Sequence, residues 1–301
     1  MVFRFGVKGL DELYGEVLVE KSAVVIAGHP GTGKTILATT MCYSNALNGY
    51  KCLYITVQED KEKIYRVFRN FNVDLNELEA EGLLKIVKLP LTTKFSETAS
   101  WIMDLVGKYK PNILVIDSIS ALLRGEDPAT LRGWFQNFFY ELSKNVNGLV
   151  VLIAEIPVGS ETIGISDIEF VADILIILKY RIKRGLMARF MEFRKIRGFG
   201  TPLVEIPFTI TSGKGIVAYP PPILAEIPPE KGFLKIPCKS LDLPGLDINM
   251  GSGKVVTISY DPQARPTEIL PLTMLFAAYN SKKVLFISYR ISPSSLRKNH
   301  Y

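Results

Sequence analysis

A loop with the spacing of a phosphate-binding motif lies near the N-terminus of the chain. Its glycines would let backbone N–H groups converge on phosphate oxygens without a Cβ in the way. Lys34 would place a positive charge beside the β and γ phosphates, and Thr35 would offer its hydroxyl to Mg²⁺. The motif therefore predicts a bound nucleoside triphosphate with magnesium. The binding residues are Gly28, His29, Pro30, Gly31, Thr32, Gly33, Lys34, Thr35 and Ile36.

An acidic residue after another apolar stretch is the candidate second residue of the magnesium site. Asp117 directly follows the run Ile113-Leu114-Val115-Ile116, which has the character of a buried strand. A carboxylate at such a strand end can hold a metal-bound water next to the phosphates. The alternative is that Asp117 caps the following turn together with Ser118. We expect Thr35 and Asp117 to bind the metal.

Hydrolysis of the triphosphate also needs a group that orients or deprotonates the attacking water. Two predicted strand ends could supply it. One carries Gln58-Glu59-Asp60, and the other carries Ala154-Glu155. Each group could instead be a solvated charge or a helix cap.

Apolar runs that alternate with helical patterns would position these motifs. Continuous apolar strands separated by helices indicate an α/β fold with a mostly parallel sheet covered on both faces. From Asp173 onward, strands follow one another with short connections, which predicts an antiparallel extension. The predicted strands are 23–27, 52–57, 83–87, 112–116, 149–153, 174–180, 187–194 and 203–211, and the predicted helices are 35–48, 61–71, 96–109 and 129–144.

Composition restricts the class of protein. The chain has 301 residues, of which 48% are hydrophobic and 22% charged, so it can bury a sizeable core. No apolar run approaches the roughly 20 residues that cross a bilayer, and the N-terminus lacks a signal-peptide pattern. We therefore expect a cytoplasmic protein without membrane contact. The net charge of +6 fits a mildly basic soluble protein better than a nucleic-acid surface, because much of the excess lies in residues 181–197.

The cysteine spacing gives no sign of a metal site. Cys42, Cys52 and Cys238 form no C-x-x-C pattern. In a cytoplasm this spacing predicts reduced thiols packed in the core, without disulfides.

Four segments, taken together, resemble the KaiC family of RecA-like P-loop ATPases. Beside the phosphate loop they are Gly6-Val7-Lys8-Gly9-Leu10-Asp11-Glu12-Leu13, Val115-Ile116-Asp117-Ser118-Ile119-Ser120-Ala121-Leu122, and Lys195-Ile196-Arg197-Gly198 followed by Pro207-Phe208-Thr209-Ile210-Thr211. The resemblance covers residues 3–220. It implies a RecA-like core that binds ATP and Mg²⁺. It also implies a homo-oligomeric ring, commonly a hexamer, with ATP between subunits.

The resemblance assigns a catalytic role to Lys195 and Arg197. In rings of this family, the Lys-x-Arg-Gly stretch reaches the γ-phosphate of the neighbouring subunit. Cationic charge supplied in this way stabilises the transition state. It would also account for the basic stretch 181–197 without nucleic acid. The alternative is an exposed basic β-hairpin.

The chain departs from the family pattern at the residues that would activate water. The family carries two glutamates after the second strand, whereas this chain has Gln58-Glu59. An amide can orient water but cannot take its proton. Glu59 could substitute if the strand end were rotated slightly. We therefore expect slow hydrolysis, with Lys34, Gln58 and Glu59 as catalytic candidates.

A second departure concerns phosphorylation of the chain by itself. The clock protein of this family phosphorylates an adjacent serine and threonine, where this chain has Glu169 and Phe170. Thr162 and Ser166 lie nearby but off register. Autokinase activity is therefore disfavoured.

The C-terminal part of the chain is predicted to be a degenerate, partial RecA-like repeat. A Pro-rich linker, residues 220–237, separates it from the ATPase domain, residues 1–219. Within residues 238–301, positions 254–290 align on 22–58 without a gap, which an internal repeat explains better than a chance match of two βαβ units. We expect the repeat to pack on the first domain or on a protein partner and to hold no nucleotide. The positions of Gly28, Gly31, Gly33 and Lys34 are taken by Tyr260, Gln263, Arg265 and Pro266.

Three functions fit these observations to different degrees. The first is a ring-forming ATPase that acts as a switch or signalling module. The second is an ATP-gated assembly or scaffold protein with little turnover, which Gln58 and the degenerate repeat favour. The third is a DNA-binding recombinase paralogue. Its DNA loop would follow Glu155, and Ile156–Gly164 has no Lys, Arg or aromatic residue, so we do not expect nucleic-acid binding.

Overall fold

The computed structural model of the chain describes residues 2–90, 95–146, 148–160, 163, 168–200, 204–221, 233–235, 249–251 and 283. The chain divides into two compact units, Met1–Ile223 and Leu224–Tyr301. The first unit alternates strands and helices and then ends in consecutive strands. Its elements are α1 (Leu10–Tyr14), β1 (Ser22–Gly28), α2 (Lys34–Ala46), β2 (Cys52–Thr56), α3 (Lys61–Arg69), α4 (Leu75–Ala80), β3 (Leu84–Lys88), α5 (Phe95–Tyr109), β4 (Ile113–Asp117), α6 (Ile119–Leu122), α7 (Pro128–Gly133), a π-helix (Trp134–Phe139), α8 (Tyr140–Asn145), β5 (Leu149–Glu155), α9 (Ile168–Val171), β6 (Ile174–Lys183), β7 (Leu186–Ile196), β8 (Glu205–Thr211) and β9 (Gly215–Ala218).

The nine strands of this unit form one sheet in the order β3-β2-β4-β5-β1-β6-β7-β8-β9. The first six strands of this order run parallel, and β7, β8 and β9 continue the sheet with antiparallel pairing. The sheet confirms the predicted α/β fold, with a mostly parallel centre and an antiparallel extension. It brings the carboxyl ends of β1, β2, β4 and β5 to one edge.

The central strands are buried on both faces, which is why their sequences read as continuous apolar runs. On β1, Val24 and Ile26 belong to one core cluster and Val25 and Ala27 to another, one on each face of the sheet. Helix α2 packs in the first cluster, and α5 packs in the second. The rigid sheet between them therefore carries the phosphate loop at a fixed position.

The helix predicted at 129–144 is interrupted by the π-helix Trp134–Phe139. The wider turn lets Phe135 and Phe139 both be fully buried, while Trp134 and Phe138 contact the ring of Phe95. Packing of this aromatic cluster, and not the apolar spacing of the sequence, sets the helix geometry here.

The cysteines correct one prediction made from spacing. Cys42 on α2 and Cys52 at the start of β2 form a disulfide, with Cα atoms 5.6 Å apart. The prediction of reduced thiols was wrong for this pair, because α2 packs directly over the beginning of β2. Spacing along the chain gives no sign of a contact between two elements. Cys238 lies outside the described residues.

In the second unit, the described part contains one antiparallel strand pair, β10 (Phe233–Lys235) and β11 (Asn249–Gly251). Almost all of the predicted linker 220–237 and repeat 238–301 lies outside the described residues, as do Thr162 and Ser166. The repeat and the absence of its nucleotide site therefore stay predictions. None of the helices that the structure describes is both long and apolar enough to cross a lipid bilayer.

Candidate phosphate-binding and metal site

The phosphate loop joins β1 to α2, and two of its glycines lie too close to neighbouring strands to carry a side chain. A Cβ on Gly28 would lie 2.5 Å from the carbonyl oxygen of Leu178 on the neighbouring strand. Gly33 has a φ of +105°, and a Cβ there would lie 2.8 Å from Ile210 Cδ1. Neither position tolerates a larger residue without a shift of its neighbours. The two glycines thus let the loop pack directly against β6 and β8 where it enters the N-terminus of α2.

Hydrogen bonds inside the loop fix its shape. The buried Thr32 donates from Oγ1 to the carbonyl of His29 at 2.8 Å, and His29 Nδ1 lies 3.1 Å from the carbonyl oxygen of Ile156. Lys34 Nζ donates to the carbonyls of Gly28 and His29 at 2.9 and 3.0 Å. The ammonium group is therefore held over the loop, while Pro30 and Gly31 are exposed at its tip.

Two oxygen-bearing side chains meet at the base of the loop. Thr35 Oγ1 donates to Asp117 Oδ2 at 2.7 Å, although the two residues are 82 positions apart. The same oxygen accepts a hydrogen bond from the hydroxyl of Tyr54 at 2.6 Å. A hydroxyl and a carboxylate are the hard oxygen ligands that Mg²⁺ prefers, so this donor set fits the ion. The Asp117 carboxylate bonds Thr35 of α2. Ser118, the residue before α6, makes no side-chain capping bond. The geometry therefore does not support the alternative that Asp117 and Ser118 cap this turn.

Burial controls the charges of this site. It raises the pKa of Asp117, and the Glu59 charge adds to the rise, against the hydrogen bonds from Tyr54 and Thr35. Burial likewise lowers the pKa of Lys34, against the charges of Glu155 and Asp117. Burial and the Asp117 charge raise the pKa of the Tyr54 hydroxyl well above its ordinary value, so Tyr54 acts as a donor. A cation beside Asp117 would stabilise the charged form of its carboxylate.

A cavity of about 350 Å³ opens beside the loop. Its polar part lies at the loop and its apolar part along α3. Arg189 on β7 also faces this cavity, and its Nε is buried without a hydrogen-bond partner within the described part of the chain. Sequence reasoning missed Arg189, because only the sheet register sets it apart from the other cations of 181–197. The lining residues are Gly31, Gly33, Lys34, Thr35, Ile36, Glu59, Lys63, Ile64, Val67, Phe68, Arg189 and Ile210.

The two candidates for water activation occupy different positions. Glu59 lines the cavity and accepts a hydrogen bond from Lys63 Nζ at 2.6 Å. The hydroxyl of Thr56 bonds both the N–H and the carbonyl of Glu59 at 3.1 Å, which fixes this turn. Gln58 is exposed at the end of β2 and is not part of the cavity wall. Glu155 ends β5 on the other side of the loop, and its N–H donates to Ser120 Oγ at 2.8 Å.

Lys195 and Arg197 lie at the end of the sheet opposite their own phosphate loop. Arg197 pairs with Asp173 at 2.8 Å, and the N–H of Asp173 donates to the carbonyl of Ala23 at the beginning of β1. From Ala23 to Gly28, β1 spans about 16 Å at roughly 3.3 Å per residue. Lys195 Nζ donates to the carbonyl of Glu169 at 2.8 Å, and burial together with the Arg197 charge lowers the pKa of Lys195. The two cations are therefore separated from the loop of their own chain.

The chain matches a known protein family and several members of it. A family model described as "ATPase: KaiC" matches residues 3–223. The chain is 31% identical over 195 residues to the circadian clock oscillator protein KaiC of Prochlorococcus marinus, covering 64% of this chain and 39% of that protein. It is 30% identical over 199 residues to the circadian clock protein KaiC3 of Synechocystis sp., with the same two coverages. The chain thus spans about two fifths of the length of these curated relatives.

A solved structure also resembles the chain. It is a KaiC-like protein from the hyperthermophilic archaeon Pyrococcus horikoshii, 28% identical in sequence. The match has a TM-score of 0.65 and covers 73% of this chain and 99% of the solved one.

Proposed function

Because this chain belongs to the KaiC family of ATPases, we propose that it binds ATP with Mg²⁺ and hydrolyses ATP slowly at the subunit interfaces of a homo-oligomeric ring. The ring, a hexamer if it follows the family, would act as a switch or signalling module whose subunit contacts depend on the bound nucleotide. The chain covers 39% of the length of its clock relatives, so the proposal does not extend to their activities as whole proteins.

The observation that carries the proposal is the contact between Thr35 Oγ1 and Asp117 Oδ2 at 2.7 Å. Thr35 follows Lys34, whose ammonium bonds the carbonyl of Gly28 in the loop. In P-loop enzymes, a hydroxyl and a carboxylate in this relation hold Mg²⁺ while the lysine binds the β and γ phosphates. The loop leads directly into the N-terminus of α2, where backbone N–H groups can bind phosphate oxygens. The apolar part of the cavity along α3 offers a place for the base, and Arg189 could pair with a nucleotide oxygen.

When Mg²⁺·ATP is bound, the metal supplies charge neutralisation at the β and γ phosphates. The residues of the chain would do the remaining work. Thr35 and Asp117 would hold the metal, and Lys34 would bind phosphate oxygens. Glu59 lies in the cavity wall, where it can orient the attacking water or accept its proton. Gln58, an exposed amide, would at most orient water from the strand end. This arrangement supports slow turnover.

The position of Lys195 and Arg197 supports catalysis between subunits. Both residues lie too far from the loop of their own chain to stabilise charge there. A neighbouring subunit docked against this end of the sheet would receive them as arginine-finger groups. The ion pair of Arg197 with Asp173 would hold the guanidinium in place before that contact forms.

A second function, an ATP-gated assembly module with little turnover, is favoured by the exposed amide Gln58 and by the ion pair of Glu59 with Lys63. In that case, nucleotide occupancy would stabilise the assembly, because ligand that binds only the assembled state shifts the equilibrium towards it. Turnover distinguishes the two functions, whereas both require nucleotide binding.

The test is steady-state ATP hydrolysis with Mg²⁺ across a series of protein concentrations, with Lys34→Ala as the control. A specific activity that rises with protein concentration, and that Lys34→Ala abolishes, would support the ring ATPase. Binding of ATP without turnover that depends on Lys34 would favour the assembly module. A chain that binds no ATP at all would contradict both.

A further inference from the structure

A tyrosine hydroxyl contacts the candidate metal site from within the core. Tyr54 lies on β2, its side chain is fully buried, and its hydroxyl donates to Asp117 Oδ2 at 2.6 Å. The same oxygen accepts the hydroxyl of Thr35 at 2.7 Å. Two donors, one from β2 and one from α2, thus converge on a single carboxylate oxygen.

The sheet and its covering helix hold Tyr54 in this position. Thr56 lies opposite Asp117 in the parallel pairing of β2 with β4. Tyr54 is two residues before Thr56 and therefore points to the same face of the sheet. On that face its ring packs in one core cluster with Leu37 and Met41 of α2. Because the side chain is fully buried, its hydroxyl is not exposed to solvent and donates to Asp117 Oδ2.

This arrangement leaves the two oxygens of Asp117 in different situations. Oδ2 accepts both O–H groups, so a metal or a metal-bound water would bind at Oδ1. Rotation of the carboxylate about its Cβ–Cγ bond would break two hydrogen bonds at once. Thr35 can keep its own bond while it offers a lone pair to the ion, because a hydroxyl donates one hydrogen and accepts at two lone pairs.

We propose that Tyr54 is a positioning residue of the magnesium site, which holds the Asp117 carboxylate in the orientation that receives the ion. The inference rests on the proposed function, because it requires Mg²⁺·nucleotide at Thr35 and Asp117. Partners that orient a metal-binding carboxylate contribute to metal affinity, and their loss typically weakens it about 10- to 100-fold. Tyr54 would therefore act on the metal through Asp117.

The test compares Tyr54→Phe with the matched control Tyr65→Phe. Tyr65 is also a buried tyrosine that donates to a carboxylate, Glu79 Oε2 at 2.7 Å, but it neither bonds Asp117 nor lines the cavity. Binding of a fluorescent ATP analogue would be measured in EDTA and across a Mg²⁺ series. Thermal unfolding without ligand would confirm that both variants fold, as expected when a single oxygen is removed and the ring remains.

For Tyr54→Phe, we expect the Mg²⁺ concentration that gives half of the metal-dependent binding to rise at least about tenfold. Its affinity for the analogue in EDTA should stay that of the wild type. Tyr65→Phe should match the wild type in both conditions. An unchanged Mg²⁺ midpoint in Tyr54→Phe would overturn the inference, and so would an equal loss of affinity in EDTA, which would indicate general damage to the site.

Failure of the proposed function gives a different result. A wild-type chain that bound no nucleotide, or that bound it without any effect of Mg²⁺, would overturn the proposed function and this inference together. A wild type that responds to Mg²⁺, with an unaltered Tyr54→Phe, would overturn only the role of Tyr54.

Discussion

Arg197 and Asp173 form an ion pair at 2.8 Å at the end of the sheet opposite the phosphate loop. Asp173 also accepts a hydrogen bond from the N–H of Ala23, at the beginning of the strand that ends in the loop. One strand therefore carries the phosphate loop at one end and helps to fix the candidate arginine finger at the other. In a ring, such a subunit can offer its loop to one neighbour and Arg197 to another.

Arg197→Ala is expected to bind Mg²⁺·ATP normally and to lose turnover by about 10³-fold, the lower end of what arginine fingers contribute. Lys34→Ala should be inactive because its loop no longer holds the phosphates. If Arg197 acts in the neighbouring subunit, mixtures of the two inactive variants will regain turnover. In a mixed ring, some interfaces combine the intact loop of an Arg197→Ala subunit with the intact Arg197 of a Lys34→Ala subunit. The measurement is ATP hydrolysis as a function of mixing ratio.

Arg194→Ala is the matched control for this experiment. Arg194 lies on β7, three residues before Arg197, and pairs with Glu192 at 2.9 Å instead of Asp173. It should retain turnover near that of the wild type. Mixtures no more active than Arg197→Ala and Lys34→Ala alone would argue against catalysis between subunits and would leave Arg197 a structural role.

Gln58→Glu is expected to increase turnover by about 10²-fold, because a carboxylate can accept the proton of the attacking water and an amide cannot. ATP affinity should change little, since Gln58 is exposed and is not part of the cavity wall. Single-turnover hydrolysis with saturating Mg²⁺·ATP measures the chemical step. Unchanged turnover would show that Gln58 does not limit the reaction.

Glu59→Gln tests the other candidate for water activation. If Glu59 accepts the proton in the wild type, its amide should reduce the residual turnover by about 10²-fold. The control is Glu62→Gln, an exposed carboxylate at the start of α3 that does not line the cavity. Equal rates in both variants would contradict a catalytic role for Glu59.

Asp117→Asn should have opposite effects on the free protein and on the nucleotide complex. Burial raises the pKa of Asp117 above its unfolded value. The ionised carboxylate therefore lowers the free energy of unfolding at neutral pH. This penalty shrinks as pH falls below the folded-state pKa and is gone below the unfolded-state pKa. A neutral amide avoids the penalty and can still accept both hydroxyl hydrogen bonds.

Without nucleotide, Asp117→Asn is thus expected to melt at a higher temperature than the wild type at pH 7, with a gap that narrows as pH falls. With Mg²⁺·ATP the order should reverse, because the variant loses its metal-binding carboxylate and with it the stabilisation by ligand. Thermal unfolding in both conditions checks this. A variant that is less stable than the wild type both with and without Mg²⁺·ATP would show that hydrogen bonding of Asp117 contributes more to stability than its charge costs.

Several parts of the site could be predicted because their signals are local in the sequence. The loop 28–35 is recognised by the spacing of its glycines. Asp117 is recognised because it directly follows an apolar strand. Both signals arise because parallel strands are buried on both faces and end at one edge of the sheet. The mostly parallel sheet and its antiparallel extension followed from the same apolar pattern, as the observed sheet confirms.

The remaining features depend on contacts between elements that are distant in the sequence. Tyr54 looks like any strand tyrosine until the register of β2 and β4 brings it to Asp117. In the sequence, Arg189 does not differ from the other cations of 181–197. Only the pairing of β7 with β6 and β8 shows that it lines the cavity. Cys42 and Cys52 show no motif spacing, and only the packing of α2 over β2 brings them together.

The disulfide leads to a direct chemical prediction. The chain has three cysteines, so denatured protein that was never reduced should show one reactive thiol, from Cys238, and three after reduction. The bridged residues are separated by 10 positions in the sequence. Closing a loop of this size stabilises a fold by about 3 kcal/mol. Reduced wild type and the double variant Cys42→Ala/Cys52→Ala should therefore melt at similar, lower temperatures.

Cys238→Ala is the control for this prediction and should keep the thermal stability of the oxidised wild type. The bridge ties the helix that begins at Lys34 to the strand that carries Tyr54. Reduction should therefore loosen the support of the metal site as well as the fold, and the Mg²⁺ midpoint for nucleotide binding should rise. Three reactive thiols before reduction would show instead that Cys42 and Cys52 are a packed, reduced pair, as their spacing in the sequence predicts.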